Sequence, residues 1–252
     1  MTNFRRLGIC WGMGVGMFIL RLKQNASCFH PVTGLYTRSI EGIALALLVV
    51  VSLVLSFLLS RFDSKDRPLF ADHFSSPERS TGALVIAAFL FAGGGVLLGK
   101  DSLGTEIRVA ALVTAAFALL SCISLLALTR QMRREDGAFS VLPTLPPMFF
   151  ASFWVLTLYL PTANDPILAR YYLPILSAAV SAYALAQLAG FFRKETRVRT
   201  FRFIASSAIT LSIASIAELN AHSILFAACA LVLSVFMTLE GKPVSCESAE
   251  EK

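Results

Sequence analysis

Glu218, Asn220 and His222 stand on alternate positions of the run Glu-Leu-Asn-Ala-His, so a carboxylate, an amide and an imidazole fall within one short stretch. Such a set could hold a cation or a polar solute, and Glu41, at the head of another apolar run, would reach the same depth in a membrane. Tyr183 and Gln187 are four residues apart and share a helix face. Thr210 sits in the serine-rich run of Ser206, Ser207, Ser212 and Ser215. Polar groups inside apolar segments are costly and therefore informative. Glu218, His222, Glu41, Tyr183, Gln187 and Thr210 are thus the expected ligand-binding positions. Each has a plainer alternative: interhelical hydrogen bonding for Tyr183 and Gln187, interfacial solvation for Glu218 and His222, and, for Glu41, complementing the helix dipole.

Bond-breaking chemistry has no such foothold. The sequence holds no HExxH, GxSxG, GxGD, paired DxxxD or phosphate-binding loop. His30, His73 and His222 are too scattered to supply two axial haem ligands, and the five cysteines make no CxxC or Cys/His metal spacing. No catalytic residue, no metal and no cofactor is expected, and a non-enzyme is favoured.

The elements that position these residues follow from solvent. With 252 residues, 56% hydrophobic, 15% charged and a mean hydropathy of +0.70, the chain has more apolar surface than a water-soluble fold can bury. A bilayer core offers backbone amides no water, so each long apolar run is a helix of about 20 residues. The runs are 40–60, 80–99, 109–129, 145–163, 171–192, 203–220 and 223–239, and a shorter one, 7–20, precedes them. Arg5, Arg6, Arg21 and Lys23 could snorkel from the ends of that first run and extend its reach. Arg21 and Lys23 also interrupt it before any signal-cleavage site, so it is expected to stay as a helix. The fold class is an all-α, polytopic transmembrane bundle of eight helices, or seven without the first.

Loop charge orients the bundle. With both termini in the cytoplasm, sixteen of the 22 Lys and Arg residues fall on the cytoplasmic side, as the positive-inside rule requires. The densest group is Arg193, Lys194, Arg197, Arg199 and Arg202, read as a turn that anchors topology, with its phenylalanines at the hydrocarbon border. Anionic lipid headgroups are its natural partners, at about 1 kcal/mol per basic residue. Nucleic acid would need a larger folded surface or an aromatic stacking platform. The loops are too short for a soluble domain. Residues 1–239 therefore read as one transmembrane domain and 240–252 as a disordered cytoplasmic tail. The short loops suit a cell membrane, in particular a bacterial inner membrane.

Lipid gives helices no hydrophobic reason to associate, so small residues that let backbones approach mark interfaces. Gly8, Gly12 and Gly16 form such a stripe on the first helix, and Ala182, Ala186 and Gly190 a second, while Gly93, Gly94 and Gly95 thin the third helix. A polytopic chain offers neighbours first, so the Gly8/Gly12/Gly16 face is expected to pack inside the bundle, with a separate membrane-protein partner as the alternative. Three functional classes follow, with a membrane-embedded enzyme the last of them. A non-enzymatic membrane component, meaning an accessory, sensor or assembly subunit, is expected ahead of a transporter or permease for a small, weakly polar solute. A cavity reaching mid-membrane beside Gln187 or Thr210 would favour transport, and a solid core with an exposed glycine face would favour the subunit.

Overall fold

The computed structural model describes residues 3–28, 40–63, 66–70, 74, 78–103, 109–133, 140–160 and 168–239. They form eight long helices: α1 (Asn3–Ser27), α2 (Ile40–Arg61), α3 (Glu78–Ser102), α4 (Val109–Arg133), α5 (Leu145–Tyr159), α6 (Leu168–Gly190), α7 (Val198–Ser215) and α8 (Ala221–Leu239). Short 3-10 turns precede α5 (Leu142–Thr144) and follow α6 (Phe191–Arg193) and α7 (Ile216–Glu218). Seven segments are long and apolar enough to cross a membrane. The exception is α1, which is far longer than the 14-residue apolar run 7–20 because it continues through Arg6 at one end and Arg21 at the other. The tail after Leu239 lies outside the described residues.

Helices α7 and α8 are the most buried of the seven. α7 is packed by α1, α2, α6 and α8, and α3 closes on α8 and α4. The serines of α7 are accordingly turned into the bundle, as expected of so polar a helix in an apolar surrounding. Their hydroxyls are absorbed by helix carbonyls, as from Ser207 to Phe203 O (2.9 Å), or by neighbours, as where Ser212 meets Ser181 at 3.1 Å. Close approach explains the glycines of α3. A methyl group at Gly94 would lie 2.6 Å from Leu225 Cδ2, and one at Gly95 would lie 3.1 Å from the Ala115 carbonyl, so α3 is thinned towards both α8 and α4.

Contacts among helix ends divide the bundle into two faces. At one, Arg6 of α1 donates to both oxygens of Asp63, at 2.6 and 2.9 Å, and Arg202 of α7 donates to Asp63 Oδ1 at 2.7 Å. The side chains are 4%, 9% and 17% exposed, so three charges are bound at the edge of the apolar layer. Beside them Phe74 packs on Phe191, Phe201 and Phe236, and Phe70 stacks on Phe192 at 4.2 Å. This is the basic face, which holds the amino-terminal end of α1 and the carboxyl-terminal end of α8, and which the positive-inside rule assigns to the cytoplasm.

Two expectations about the basic run need correction. α7 begins at Val198, so Arg199 and Arg202 are helical residues and the turn proper is short. Lys194 makes that turn possible by adopting φ 56°, which closes the end of the preceding 3-10 segment. The phenylalanines do not all sit at a lipid border either. Phe191 and Phe201 are completely buried in the aromatic cluster, where Phe74 packs on both, whereas Phe192 and Phe203 are half-buried.

Candidate functional site

The opposite face gathers most of the polar residues singled out above, in two separate places. The first is a buried ion pair. Arg21 donates through Nε and Nη2 to Glu218 Oε1, at 2.9 and 2.6 Å, and through Nη1 to Gln24 Oε1 at 2.6 Å. Arg21 is 0% exposed and Glu218 12%. Asn25 adds a bond to the Ala217 carbonyl at 3.2 Å. The reason is local: α7 ends at Ser215, the 3-10 turn Ile216–Glu218 swings the carboxylate towards α1, and Leu219 reverses the chain with φ 52°. Glu218 is therefore the counter-ion of a buried arginine rather than an open carboxylate awaiting a cation. Arg21 was not among the expected site residues, because it was taken as a snorkelling flank. Glu41 is occupied too, by Lys23 at 3.1 Å.

The second place is a cavity of about 670 Å³ bounded by the ends of α3 and α5 and the starts of α4 and α8. Its polar lining comes from Asp101, Ser102, Thr157, Asn220 and His222. His222 Nδ1 accepts a hydrogen bond from Trp154 Nε1 at 3.0 Å. That contact assigns the neutral ring as the tautomer protonated at Nε2, leaving a donor for the cavity it lines. Thr157 is held by Thr114, their hydroxyl oxygens 2.6 Å apart. Directly beneath, Trp154 packs on Phe226 with ring centres at 4.4 Å and on Phe150 at 5.3 Å, and Phe150 meets Phe91 edge-on at 5.1 Å. All four rings are completely buried. Through His222 the cavity lining is thus tied to a packed aromatic cluster.

His222 and Asn220 line this cavity, as the sequence suggested, but Glu218 faces away and Asp101 supplies the carboxylate. Asp101, next to the basic Lys100 at the close of an apolar run, read as a loop charge, and no pattern in the sequence links it to a residue more than a hundred positions away. Trp154 could have been flagged, since a buried indole N–H needs an acceptor.

The remaining candidates are apart from both places. Thr210 donates to Ser206 O at 2.9 Å and lies 3.3 Å from Cys10 O, in the seam between α1 and α7. It lines neither the cavity at His222 nor the groove at Tyr183. Tyr183 points outwards, 52% exposed, and lines a separate lipid-side groove, while Gln187 is half-buried and its carbonyl accepts from Thr196 at 2.7 Å. Ala182 and Ala186 are partly buried, and Gly190 is where Thr196 crosses α6.

The Gly8/Gly12/Gly16 stripe does not pack inside the bundle. Nothing lies within 4 Å of a methyl group at any of the three, and all are exposed. The close approach of α1 is made on another face by Gly14, where a methyl group would meet Ile213 Cβ at 2.8 Å. The reason is rotational: Arg6, Cys10, Gly14, Met17 and Arg21 form the buried face, and their two arginine contacts fix the helix with Gly8, Gly12 and Gly16 turned out. Among the described residues no group of three or more His, Cys, Asp or Glu could hold a metal ion. No family model, no curated protein and no solved structure matches this chain.

Proposed function

We propose that the protein is a non-enzymatic membrane component, an accessory, sensor or assembly subunit, which binds at its faces and does not conduct solute through its centre. The observation that carries this reading is the aromatic cluster behind the cavity at the opposite face. Phe91, Phe150, Trp154 and Phe226 are packed ring on ring and completely buried, and the Trp154–His222 hydrogen bond joins them to the cavity lining. A pocket backed by so filled a core can register a ligand and pass the change to that core. The open glycine face of α1 supports the subunit role, because bare helix surface gains nothing from lipid and gains close packing from another helix. At the basic face, Arg193, Lys194, Arg197 and Arg199 contact anionic headgroups, whereas Arg202 is engaged by Asp63. The short loops suit a bacterial inner membrane.

A transporter for a small, weakly polar solute is the second reading, favoured by the size of that same cavity. It would require the aromatic cluster to part. One preparation separates the two: the protein with Trp11→Phe, so that Trp154 is the remaining tryptophan, reconstituted in proteoliposomes. The subunit reading expects small polar solutes and amines to perturb Trp154 emission without entering the vesicles. Protein-dependent uptake of any such solute overturns it.

A further inference from the structure

We infer that the groove between α2 and α6, floored by α7, is a binding site for one anionic phospholipid of the leaflet at the basic face. The inference deepens the headgroup contact proposed above and rests on that reading for its orientation. In the half of the bundle towards the opposite face, α2 and α6 close over α7, with Leu45, Val49, Leu173, Leu211 and Ala214 buried together. Towards the basic face the cover opens. A groove of about 500 Å³ is left there, lined chiefly by Leu53, Val180, Tyr183, Thr200, Phe203 and Ser207.

Two observations choose the occupant. The first is solvent. Apart from hydroxyls such as that of Ser207, which already donates to Phe203 O, the lining is apolar, so water has few partners in it. The groove follows α7 from Thr200 to Ser207, about 10 Å along the axis. An extended acyl chain is slender enough to follow it and brings no polar group that the lining would have to satisfy. The second is charge. At the end nearest the basic face, the Arg199 guanidinium lies 5.8 Å from the Phe57 ring centre, on the α2 side of the opening, and Phe57 packs edge-on against Phe203 of the lining. Thr200 is the next residue of the floor. Arg193, Lys194 and Arg197 are exposed on the same face. A lipid with one chain between α2 and α6 therefore brings its phosphate to Arg199 and the Thr200 hydroxyl, in a region where basic residues outnumber acidic ones.

The test uses full-length protein in detergent micelles, with phosphatidylglycerol or phosphatidylcholine added and retained lipid counted by native mass spectrometry. Phosphatidylglycerol is expected to be retained about fivefold better, the equivalent of ~1 kcal/mol for one basic residue at the surface. Arg199→Gln is expected to bring the two lipids close to parity while both still bind. Ala179→Leu and Thr200→Leu, which fill the groove from α6 and from its rim, are each expected to lose retention of both lipids with the unfolding temperature unchanged. Groove-filled variants that keep phosphatidylglycerol as well as the parent would overturn the groove site and leave the headgroup contact standing. A parent protein without preference between the two lipids would overturn the headgroup contact as well.

Discussion

Removing one partner of the Arg21–Glu218 pair should destabilise the protein strongly, and by unequal amounts depending on which partner goes. Breaking a buried ion pair costs about 3–5 kcal/mol, because a charge is left without compensation. Glu218→Leu strands a guanidinium that is 0% exposed and keeps Gln24 as its acceptor, so its cost belongs near the upper end of that range. Arg21→Met strands a carboxylate that is 12% exposed and can draw water from the opposite face, so its cost belongs near the lower end. The double variant Arg21→Met with Glu218→Leu removes both charges and keeps much of the apolar volume, and it should recover most of the loss. Reversible unfolding by denaturing detergent in mixed micelles measures all four proteins and closes the cycle. A double variant no better than Glu218→Leu, or two single variants each costing under about 1 kcal/mol as a solvated surface pair would, refutes the reasoning.

Three further outcomes follow from the packing. Gly14→Leu should cost at least about 1–3 kcal/mol by overpacking against Ile213, whereas Gly12→Leu, on the open face, should stay within about 0.5 kcal/mol in the same assay. Asp63→Asn removes the charge that Arg6 and Arg202 share and should lower the unfolding temperature more than Arg202→Gln does, since Arg202 is the most exposed of the three. His222→Leu leaves the Trp154 indole N–H without its acceptor, which should cost about 1–3 kcal/mol and shift tryptophan emission in a Trp11→Phe background.

What the sequence made legible was whatever depends on solvent. Runs such as 40–60 and 109–129 return as α2 and α4 because no other backbone arrangement satisfies its amides in lipid. The polarity of α7 marked it as an interior helix for the same reason. What stayed hidden depends on rotation and on pairing between distant residues. Gly8, Gly12, Gly14 and Gly16 are equally small, and the choice of Gly14 for the α1–α7 contact is made by Arg6 and Arg21, whose partners Asp63 and Glu218 lie far along the chain. Arg21 read as a snorkelling flank because the apolar run 7–20 ends before the helix does. Asp101 reached the cavity for a similar reason: its neighbour there, His222, is set by how α3 packs on α8 through Gly94.

The central claim, a filled interior beneath a pocket open at one face, is tested most directly by accessibility of single cysteines to a membrane-impermeant maleimide. With the native cysteines replaced, Asn220→Cys should react from outside intact cells, Arg197→Cys should react from the cytoplasmic side of inverted vesicles, and Thr210→Cys should react from neither. Labelling at position 210 from either aqueous phase, or labelling of positions 197 and 220 from the same side, would contradict the account.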